Sequence, residues 1–322
     1  MEPEIWPARS GREPAVWSVV LSGGDGERLR PLMERWWGAH RPKQYCTFVG
    51  RRSMLQHTLD RAKDLAGVGR RMLVVASHHG PFVWELPTAP ETGTIIAQPR
   101  NRGTAAGIYL PLTHIGARDP DATVAILPSD HFIFPEEKFT AAVRRAVRAA
   151  QQLPDRLVLL GVRPDSPETE YGWIRPGEAV ASVDGFPVRA VAGFWEKPAV
   201  TVARRLQETG ALWNTFVIVA KWRALWQLGR RCFPVLMAEL ERLKPHLGTA
   251  TEHDVLHAIY ERLPVRNFST ELLQQMPDAS VVMELHGVTW SDWGSEARIV
   301  EALRRIGKNP LFPLRQTSEL VS

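Results

Sequence analysis

The stretch V-W-S-V-V-L-S-G-G-D-G-E-R-L-R-P-L, residues 16–32, decides how the rest of the sequence is interpreted. Its apolar start, residues 16–21, predicts a buried β-strand that leads directly into Gly23, Gly24 and Gly26. Glycines after a strand let backbone N–H groups approach an anion, because no Cβ stands in the way. A nearby arginine and lysine, Arg28 and Lys43, could donate charge-assisted hydrogen bonds to phosphate oxygens. The pattern therefore predicts a phosphate-binding site at the carboxyl end of the first strand.

Two common glycine motifs do not match this loop. The dinucleotide fingerprint G-x-G-x-x-G would begin at Gly24 and needs a third glycine where Leu29 stands. Pro31 is also expected to interrupt the helix that follows. A Walker A motif ends in G-K-[ST], which this loop lacks. For the loop taken alone, an ordinary strand-to-helix turn with solvated arginines stays an alternative.

The composition excludes several classes of protein. The chain has 322 residues, and 40 Lys+Arg against 35 Asp+Glu give a net charge of +5. The basic residues are dispersed, so we expect no nucleic-acid partner. Two distant cysteines, Cys46 and Cys232, support neither a disulfide framework nor a C-x-x-C metal site. No apolar run is long enough for a membrane span and the N-terminus lacks a signal-peptide core, so we expect a cytoplasmic protein with no membrane partner.

The order of apolar and amphipathic segments predicts the fold class. Up to about residue 163, strands at 72–76, 94–97, 123–127 and 157–162 alternate with helices at 54–65, 104–117 and 136–151. This alternation predicts an α/β protein with a Rossmann-like, doubly wound and mostly parallel sheet. After Pro164 the sequence instead predicts exposed or antiparallel strands at 171–175 and 188–195, and another apolar strand at 213–220. The predicted fold is completed by a helical stretch over roughly 222–275, a strand at 281–285 and a helix at 295–306.

Polar residues follow the predicted strands at the points where ligands bind in open α/β sheets. Asp130, at the end of one strand, is a candidate ligand for a divalent metal ion, and Asp292 is the best second carboxylate. A turn aspartate and a helix-entry aspartate are the alternatives for these two residues taken singly. Lys197 could neutralise a phosphate, or form a solvated surface pair with Glu196. Asn214 could bind sugar hydroxyls, or be a simple turn or strand-start residue. His131 is expected to be structural.

With these segments in order, the chain resembles the sugar-phosphate nucleotidyltransferases, and mannose-1-phosphate guanylyltransferases in particular. The resemblance covers about residues 16–305 and is carried by nine ordered motifs. They are G-G-D-G-E-R-L (23–29), R-P-K-Q-Y (41–45), S-M-L-Q-H-T (53–58), R-G-T-A-A-G-I (102–108), L-P-S-D-H (127–131), P-E-T-E-Y-G-W-I (167–174), F-W-E-K-P (194–198), W-N-T (213–215) and W-S-D-W-G-S (290–295).

The resemblance implies an enzyme that joins a sugar 1-phosphate to a nucleoside triphosphate, giving a nucleotide sugar and pyrophosphate. These two substrates are the implied partners, Mg²⁺ is the implied cofactor, and homo-oligomerisation is left open. The resemblance further implies that Asp130 and Asp292 bind the metal ion and that Arg28, Lys43 and Lys197 are catalytic. The implied nucleotide-binding residues are Leu21, Gly23, Gly24, Gly26, Arg28, Gln98 and Thr104. The implied sugar-binding residues are Gly172, Glu196, Lys197 and Asn214.

The implied domain organisation is one nucleotidyltransferase domain at 15–306, between a flexible arm at 1–14 and a tail at 307–322. Its nucleotide-binding half covers about 15–163 and its sugar-binding half about 164–306.

Three departures from the family pattern keep alternatives open. Glu27 adds a negative charge beside the expected triphosphate, Gly103 and Ala106 replace the usual Asn and Pro, and residues 267–275 match poorly. The same chemistry with another base or sugar, such as dTTP or UTP with glucose 1-phosphate, is one alternative. A non-catalytic regulatory protein that binds nucleotide sugars is the other.

Overall fold

The predicted first strand lies inside a nine-stranded sheet in the computed structural model, which describes residues 16–85 and 92–314. The predicted arm at 1–14 lies outside the described residues. The strands are β1 Val16–Ser22, β2 Arg71–Ala76, β3 Thr94–Gln98, β4 Thr123–Pro128, β5 Phe132–Phe134, β6 Leu157–Val162, β7 Gly172–Val183, β8 Phe186–Glu196, β9 Leu212–Lys221, β10 Ser280–Glu284 and β11 Thr289–Ser291. The strands of the large sheet run in the order β3-β2-β1-β4-β9-β6-β10-β8-β7, and β11 and β5 form a separate antiparallel pair.

Most strands of the large sheet point in one direction. The neighbours β3-β2-β1-β4 are parallel to one another, as are β6 and β10. The strand β9 runs antiparallel between β4 and β6, and β8 runs antiparallel between β10 and β7. Only β8 and β9 therefore oppose the other strands of this sheet. The predicted α/β class with a mostly parallel sheet is confirmed.

Helices cover both faces of the sheet, as a doubly wound fold requires. The helices are α1 Arg30–Trp37, α2 Met54–Lys63, α3 Gly80–Trp84, α4 Gly103–Arg118, α5 Glu136–Gln152, α6 Val200–Glu208, α7 Trp222–Cys232, α8 Pro234–Leu243, α9 Glu252–Arg262 and α10 Glu296–Arg305. One apolar core packs α4, α7, α8 and α9 against strand residues such as Val19 and Ile126. A second core packs α2, α3, α5 and α6 against the opposite side chains, such as Val20 and Leu127. This alternation follows from the two-residue period of a strand.

Local sequence signals explain how two of these helices begin. Ser53 caps α2: its hydroxyl accepts from the Gln56 N–H, and the Gln56 side chain accepts from the Ser53 N–H. The expected interruption at Pro31 is wrong, because Pro31 lies in the first turn of α1. A proline is tolerated there, since the first turn of a helix needs no N–H donor from it.

Several elements differ from the sequence predictions. The stretch 222–275 is not one helix: α7 and α8 meet at Phe233 and Pro234, and irregular backbone separates α8 from α9. The helix α6 and the small sheet of β5 and β11 were not predicted. The antiparallel strands at 171–175 and 188–195 are confirmed, but they extend into a longer hairpin that turns at Asp184 and Gly185, both with positive φ.

The small sheet positions the segment that carries Asp292. Its strands pair Trp290 with Ile133, so the residues after β4 and the residues before α10 come together. Phe132 stacks on Trp293 with ring centroids 4.5 Å apart, inside a third apolar core shared by α1, α2 and α10. The described part of the predicted tail also packs here, because Phe312 is buried against Trp36. Among the described helices, none is both long and apolar enough to cross a membrane.

Candidate active site

The glycine loop after β1 is closely packed at two of its glycines. A Cβ on Gly23 would lie 2.9 Å from Nε2 of Gln98. Gly26 has a φ of 68°, and a Cβ there would lie 3.1 Å from the backbone nitrogen of Lys43. Only glycine adopts this left-handed conformation at little cost. The loop is therefore a close-packed turn in which backbone groups form the surface.

The segment R-P-K-Q-Y supports the loop from one side. The Gln44 side chain donates to the Gly24 carbonyl at 2.7 Å, and the Tyr45 hydroxyl donates to the Ser22 carbonyl at 3.4 Å. Both residues are buried. These bonds occupy the carbonyl oxygens of Gly24 and Ser22, and backbone N–H groups of such a loop are suited to bind an anion.

A cavity of about 370 Å³ opens beside the loop at the carboxyl ends of the parallel strands. Five of the predicted nucleotide-binding residues line it: Leu21, Gly23, Gly24, Gln98 and Thr104. Asp130 lines the same cavity, together with Phe216 and Asn267 from the other half of the chain. The structure thus brings most of the predicted nucleotide-binding residues to one concave surface.

Two polar residues of this cavity are already oriented by neighbours. The Gln98 carboxamide oxygen accepts from the Tyr260 hydroxyl at 3.2 Å, and the Thr104 hydroxyl accepts from the Phe268 N–H at 2.8 Å.

The departure at Gly103 has a steric reason, because its φ is 82° and a Cβ would lie 2.2 Å from the Arg266 carbonyl oxygen. Asparagine would be strained at this position, so glycine here follows from local packing and carries no information about the base.

The other two predicted nucleotide-binding residues lie outside the cavity lining. Gly26 shapes the turn against Lys43, and the Arg28 side chain reaches Asp292, with Nη2 2.7 Å from Oδ2. Glu27, whose charge was unexplained, accepts two hydrogen bonds of 2.7 Å from Arg30. This bidentate pair is exposed, so the charge of Glu27 is compensated locally.

Lys43 connects the two predicted metal ligands. Its ammonium lies 3.1 Å from Oδ2 of Asp130 and donates to the Asp292 carbonyl at 2.5 Å, although the side chain is only 5% exposed. A buried ammonium needs such partners, because it has lost the water that would otherwise stabilise its charge. Burial alone would raise the pKa of the Asp130 carboxyl, but the charge of Lys43 and the His131 ring lower it below its ordinary value.

The Asp292 carboxylate accepts four hydrogen bonds. Oδ2 accepts from Arg28 at 2.7 Å, and Oδ1 accepts from the Tyr171 hydroxyl at 2.8 Å, the Gly294 N–H at 2.9 Å and Arg298 at 3.2 Å. Burial would raise the pKa of this carboxyl, but Lys43, Arg28, Tyr171 and Arg298 outweigh it and hold the pKa well below the ordinary value. Asp292 is therefore an anion at neutral pH with a fixed orientation.

Three of the predicted sugar-binding residues form a second cluster, on β7, β8 and β9. A Cβ on Gly172 would lie 2.9 Å from Oε2 of Glu196 and 3.3 Å from Cβ of Asn214, so the three residues surround one point. Burial raises the pKa of the Glu196 carboxyl, and the charge of Lys197 only partly opposes this. The Gln274 side chain accepts from the Glu196 N–H at 2.9 Å. The poorly matching segment 267–275 thus contacts this cluster directly.

The fourth predicted sugar-binding residue, Lys197, lies at a strained point of the backbone. Its φ is 48°, and its N–H donates to the Tyr171 carbonyl at 3.1 Å. Phe216, which lines the cavity, and Trp293, next to Asp292, also have positive φ. A non-glycine residue adopts this conformation only where its surroundings impose it, and such residues cluster at functional sites.

A family model described as "Nucleotidyl transferase" matches residues 17–309, a range that runs from β1 to beyond the end of α10. The chain belongs to the nucleotidyl transferase family. Its curated relatives include the xanthan biosynthesis protein XanB of Xanthomonas campestris pv. campestris (strain B100), which is 30% identical over 311 residues, 91% of this chain and 60% of that protein. The mannose-1-phosphate guanylyltransferase of Escherichia coli K12 is 30% identical over 301 residues, 89% of this chain and 59% of that enzyme. This nucleotidyl transferase thus spans about 60% of the length of those relatives.

Solved structures show the same fold. A protein of Thermus thermophilus, described as a mannose-1-phosphate geranyltransferase, superposes with a TM-score of 0.74 at 27% sequence identity. The superposition covers 90% of this chain and 78% of that one. The predicted family resemblance is therefore confirmed.

Members of the nucleotidyl transferase family generally use a divalent metal ion, and the chemistry of Asp130 and Asp292 fits one. Both carboxyls have lowered pKa values and are hard oxygen ligands. Among the described residues, Oδ2 of Asp292 accepts a hydrogen bond only from Arg28, whose side chain is 46% exposed. Asp130 is also partly exposed, so each carboxylate has an oxygen that a metal ion can reach.

Sequence reasoning missed three residues that orient the site of this nucleotidyl transferase. Gln44 and Tyr171 lie within motifs already quoted, but their hydrogen-bond partners are 20 and 121 residues away in the chain. Arg298 pairs with Glu168 and Asp292 from the first turn of α10. Only its position one turn after W-S-D-W-G-S could have drawn attention to it.

Proposed function

We propose that this chain transfers a guanylyl group from GTP to mannose 1-phosphate, giving GDP-mannose and pyrophosphate. The family implies a nucleoside triphosphate and a sugar phosphate as substrates, and several relatives are named mannose-1-phosphate guanylyltransferase. Because the chain spans only part of those relatives, the activity, the two substrates and Mg²⁺ are our proposals for this protein.

One observation carries the proposal: a continuous chain of contacts joins the nucleotide cavity to the Gly172 cluster. Lys43 contacts Asp130 of the cavity and the Asp292 carbonyl, and Asp292 accepts from Tyr171. The Tyr171 carbonyl accepts from the N–H of Lys197, and Tyr171 precedes Gly172 directly in the chain. The carboxylates and cations thus lie between the surface suited to a nucleotide and the surface suited to a sugar, as the transfer requires.

The reaction needs no general base in the protein. A phosphate oxygen of mannose 1-phosphate, already anionic, attacks the α-phosphorus of GTP and forms the new P–O bond. The bond between the α-phosphorus and the bridging oxygen to the β-phosphorus breaks, and pyrophosphate leaves with that electron pair. Alignment and neutralisation of negative charge are the main requirements of such a transfer.

Each charged side chain has a role in this proposal. Asp130 and Asp292 would hold Mg²⁺, which would neutralise charge on the phosphates. Arg28 leaves Asp292 to bind the triphosphate and the departing pyrophosphate, which its half-exposed side chain permits. Lys43 stays buried between the Asp130 carboxylate and the Asp292 carbonyl, and Lys197 binds the phosphate of the sugar.

The remaining site residues bind the two substrates by hydrogen bonds and close packing. Glu196, Asn214 and the backbone of Gly172 face the hydroxyls of mannose, because they surround one point. Gln98 and Thr104 face the base and ribose across the cavity that they line. The backbone of Leu21, Gly23, Gly24 and Gly26 completes the nucleotide side.

A pyrophosphate-release assay on the full chain tests the proposal. We expect release with GTP and mannose 1-phosphate in the presence of Mg²⁺, and much less with dTTP or UTP and glucose 1-phosphate. No product from GTP with mannose 1-phosphate, but turnover with another pair, would overturn the base and sugar assignment. Binding of GDP-mannose without turnover of any pair would instead indicate a regulatory protein.

A further inference from the structure

Asp25, which lies between Gly24 and Gly26 in the glycine loop, has two histidines around its carboxylate. Oδ1 lies 2.8 Å from Nε2 of His78 and 3.1 Å from Nε2 of His79, both in the turn that follows β2. One ligand atom from each of the three residues lies within 4.8 Å of the others, and they form the one such group among the described residues. Two imidazoles and a carboxylate are a common ligand set for transition metals.

The buried histidine is oriented as a metal ligand would be. His79 is 1% exposed, and its Nδ1 faces the Ser22 carbonyl at 3.4 Å while its Nε2 faces Asp25. Both ring nitrogens therefore face oxygen acceptors, but a neutral imidazole has only one N–H to donate. Donation from Nδ1 to Ser22 leaves the Nε2 lone pair pointing at a carboxylate. A metal ion bound there removes this conflict, and a backbone carbonyl on the other nitrogen is the usual support for a ligating histidine.

The alternative is a proton in place of the metal ion, which would make His79 an imidazolium. Burial of a charged ring costs desolvation energy, and the ring packs against Tyr45 and Phe82 rather than water. His78 is exposed, with 63% of its side chain accessible, so an ion could reach the group from solvent. Tetrahedral coordination of zinc places ligand atoms about 3.4 Å apart, so the two nitrogens would move from Asp25 by well under an ångström.

We propose that Asp25, His78 and His79 form a binding site for a divalent transition metal such as Zn²⁺, separate from the carboxylates Asp130 and Asp292. Three protein ligands leave one position for water. The site ties the glycine loop to the turn after β2. His40 also holds the loop, because its Nε2 donates to the Asp25 carbonyl at 2.8 Å. A metal ion bound here also reverses the charge at Asp25. A carboxylate in a loop that faces phosphates repels them, whereas a bound cation attracts them.

Metal titrations of the chelator-treated full chain test this site. The titrations contain excess Mg²⁺, which saturates the hard carboxylates but competes weakly for imidazole. Binding of Zn²⁺ is followed by calorimetry, and binding of Co²⁺ by its visible absorption. We expect one equivalent of Co²⁺ with the intense absorption of a four-coordinate ion. His78→Ala and Asp25→Asn each remove a direct ligand, so each should weaken binding by more than the roughly 10- to 100-fold that loss of a supporting partner costs.

Two control variants separate this site from other loci. The exposed pair His253 and His257 on α9 has ring centroids 4.3 Å apart, so the double variant His253→Ala/His257→Ala removes the other close histidine pair of the described residues. Asp130→Asn removes a proposed Mg²⁺ ligand. Both control variants should bind one equivalent of Co²⁺ with the affinity of the wild type. Absence of saturable binding, unchanged affinity in His78→Ala, or loss of binding in either control would overturn the proposal.

Discussion

Asp130 and Asp292 are both proposed to bind the metal ion, yet they are held in different ways. Asp130 is 39% exposed and has Lys43 at 3.1 Å and His131 at 3.5 Å. Asp292 is 7% exposed and accepts from four donors on three different parts of the chain. The Asp292 carboxylate is therefore fixed before any substrate binds, whereas the Asp130 carboxylate stays open to the cavity. The site combines a rigid anchor with an adaptable ligand.

Alanine substitutions give the largest expected effects. Asp130→Ala and Asp292→Ala should each lower turnover at least about 1,000-fold, because each removes a ligand of the charge-neutralising metal ion. Their stability should differ. Asp292→Ala leaves several buried donors without an acceptor and should lower the free energy of unfolding by about 2–3 kcal/mol, against about 1 kcal/mol for Asp130→Ala.

Urea unfolding and steady-state kinetics measure both effects. Asp254→Ala, at an exposed carboxylate on α9, is the matched control and should change neither quantity. Equal stability losses for Asp130→Ala and Asp292→Ala would contradict the difference between the two carboxylates. More than a tenth of normal turnover in either would contradict the metal assignment.

Removal of one hydroxyl should have a smaller effect. Tyr171→Phe deletes the bond to Oδ1 of Asp292, so the carboxylate is less well oriented and the affinity for Mg²⁺ should fall about 10-fold. Tyr260→Phe is the matched variant, because it deletes a hydroxyl bonded to Gln98 in the cavity. It should raise the KM for GTP and leave the Mg²⁺ dependence unchanged. The same Mg²⁺ dependence in both variants would show that Tyr171 does not position the metal ligand.

The lowered pKa of Asp292 predicts where its contribution to stability is lost. A carboxyl whose folded-state pKa lies below its ordinary value of 3.8 contributes stability above that pH. That contribution is lost as the pH falls through the lower folded-state value. The stability difference between the wild type and Asp292→Asn should therefore be constant from about pH 8 to pH 5 and shrink below about pH 4. A difference that shrinks near neutral pH would contradict this account of Asp292.

Glu196 should behave in the opposite sense and with the smallest effect. Its pKa is raised, so ionisation of the folded protein is disfavoured, and the cost appears as the pH rises above the ordinary value of 4.5. Glu196→Gln should raise the free energy of unfolding at pH 7 by about 0.5–1 kcal/mol and have little effect at pH 4. It should also raise the KM for mannose 1-phosphate. Lower stability at pH 7 would show that Glu196 is well compensated in the folded protein.

The sequence predicted the parts of the site that depend on strand ends. Gly23 and Asp130 follow apolar runs, and in a parallel sheet the carboxyl ends of such runs meet at one edge. The capped start of α2 at Ser53 was equally visible, because a capping box is a local pattern. These features need only short stretches of chain and a regular period.

The sequence could not predict contacts between distant segments. Arg28 and Asp292 are 264 residues apart, and the small sheet that brings Asp292 close to Asp130 consists of only two three-residue strands. Such short strands have too few residues to show a period. The partners of Asp25 were also hidden, because His78 and His79 come from a turn after another strand.

An isotope experiment shows directly which phosphorus the sugar phosphate attacks. Mannose 1-phosphate labelled with ¹⁸O at its three non-ester phosphate oxygens is incubated with GTP, Mg²⁺ and the full chain, and both products are analysed by mass spectrometry. We expect GDP-mannose that keeps all three labelled oxygens and pyrophosphate that carries none, because the sugar phosphate attacks the α-phosphorus. Label in the pyrophosphate, or no GDP-mannose, would contradict it.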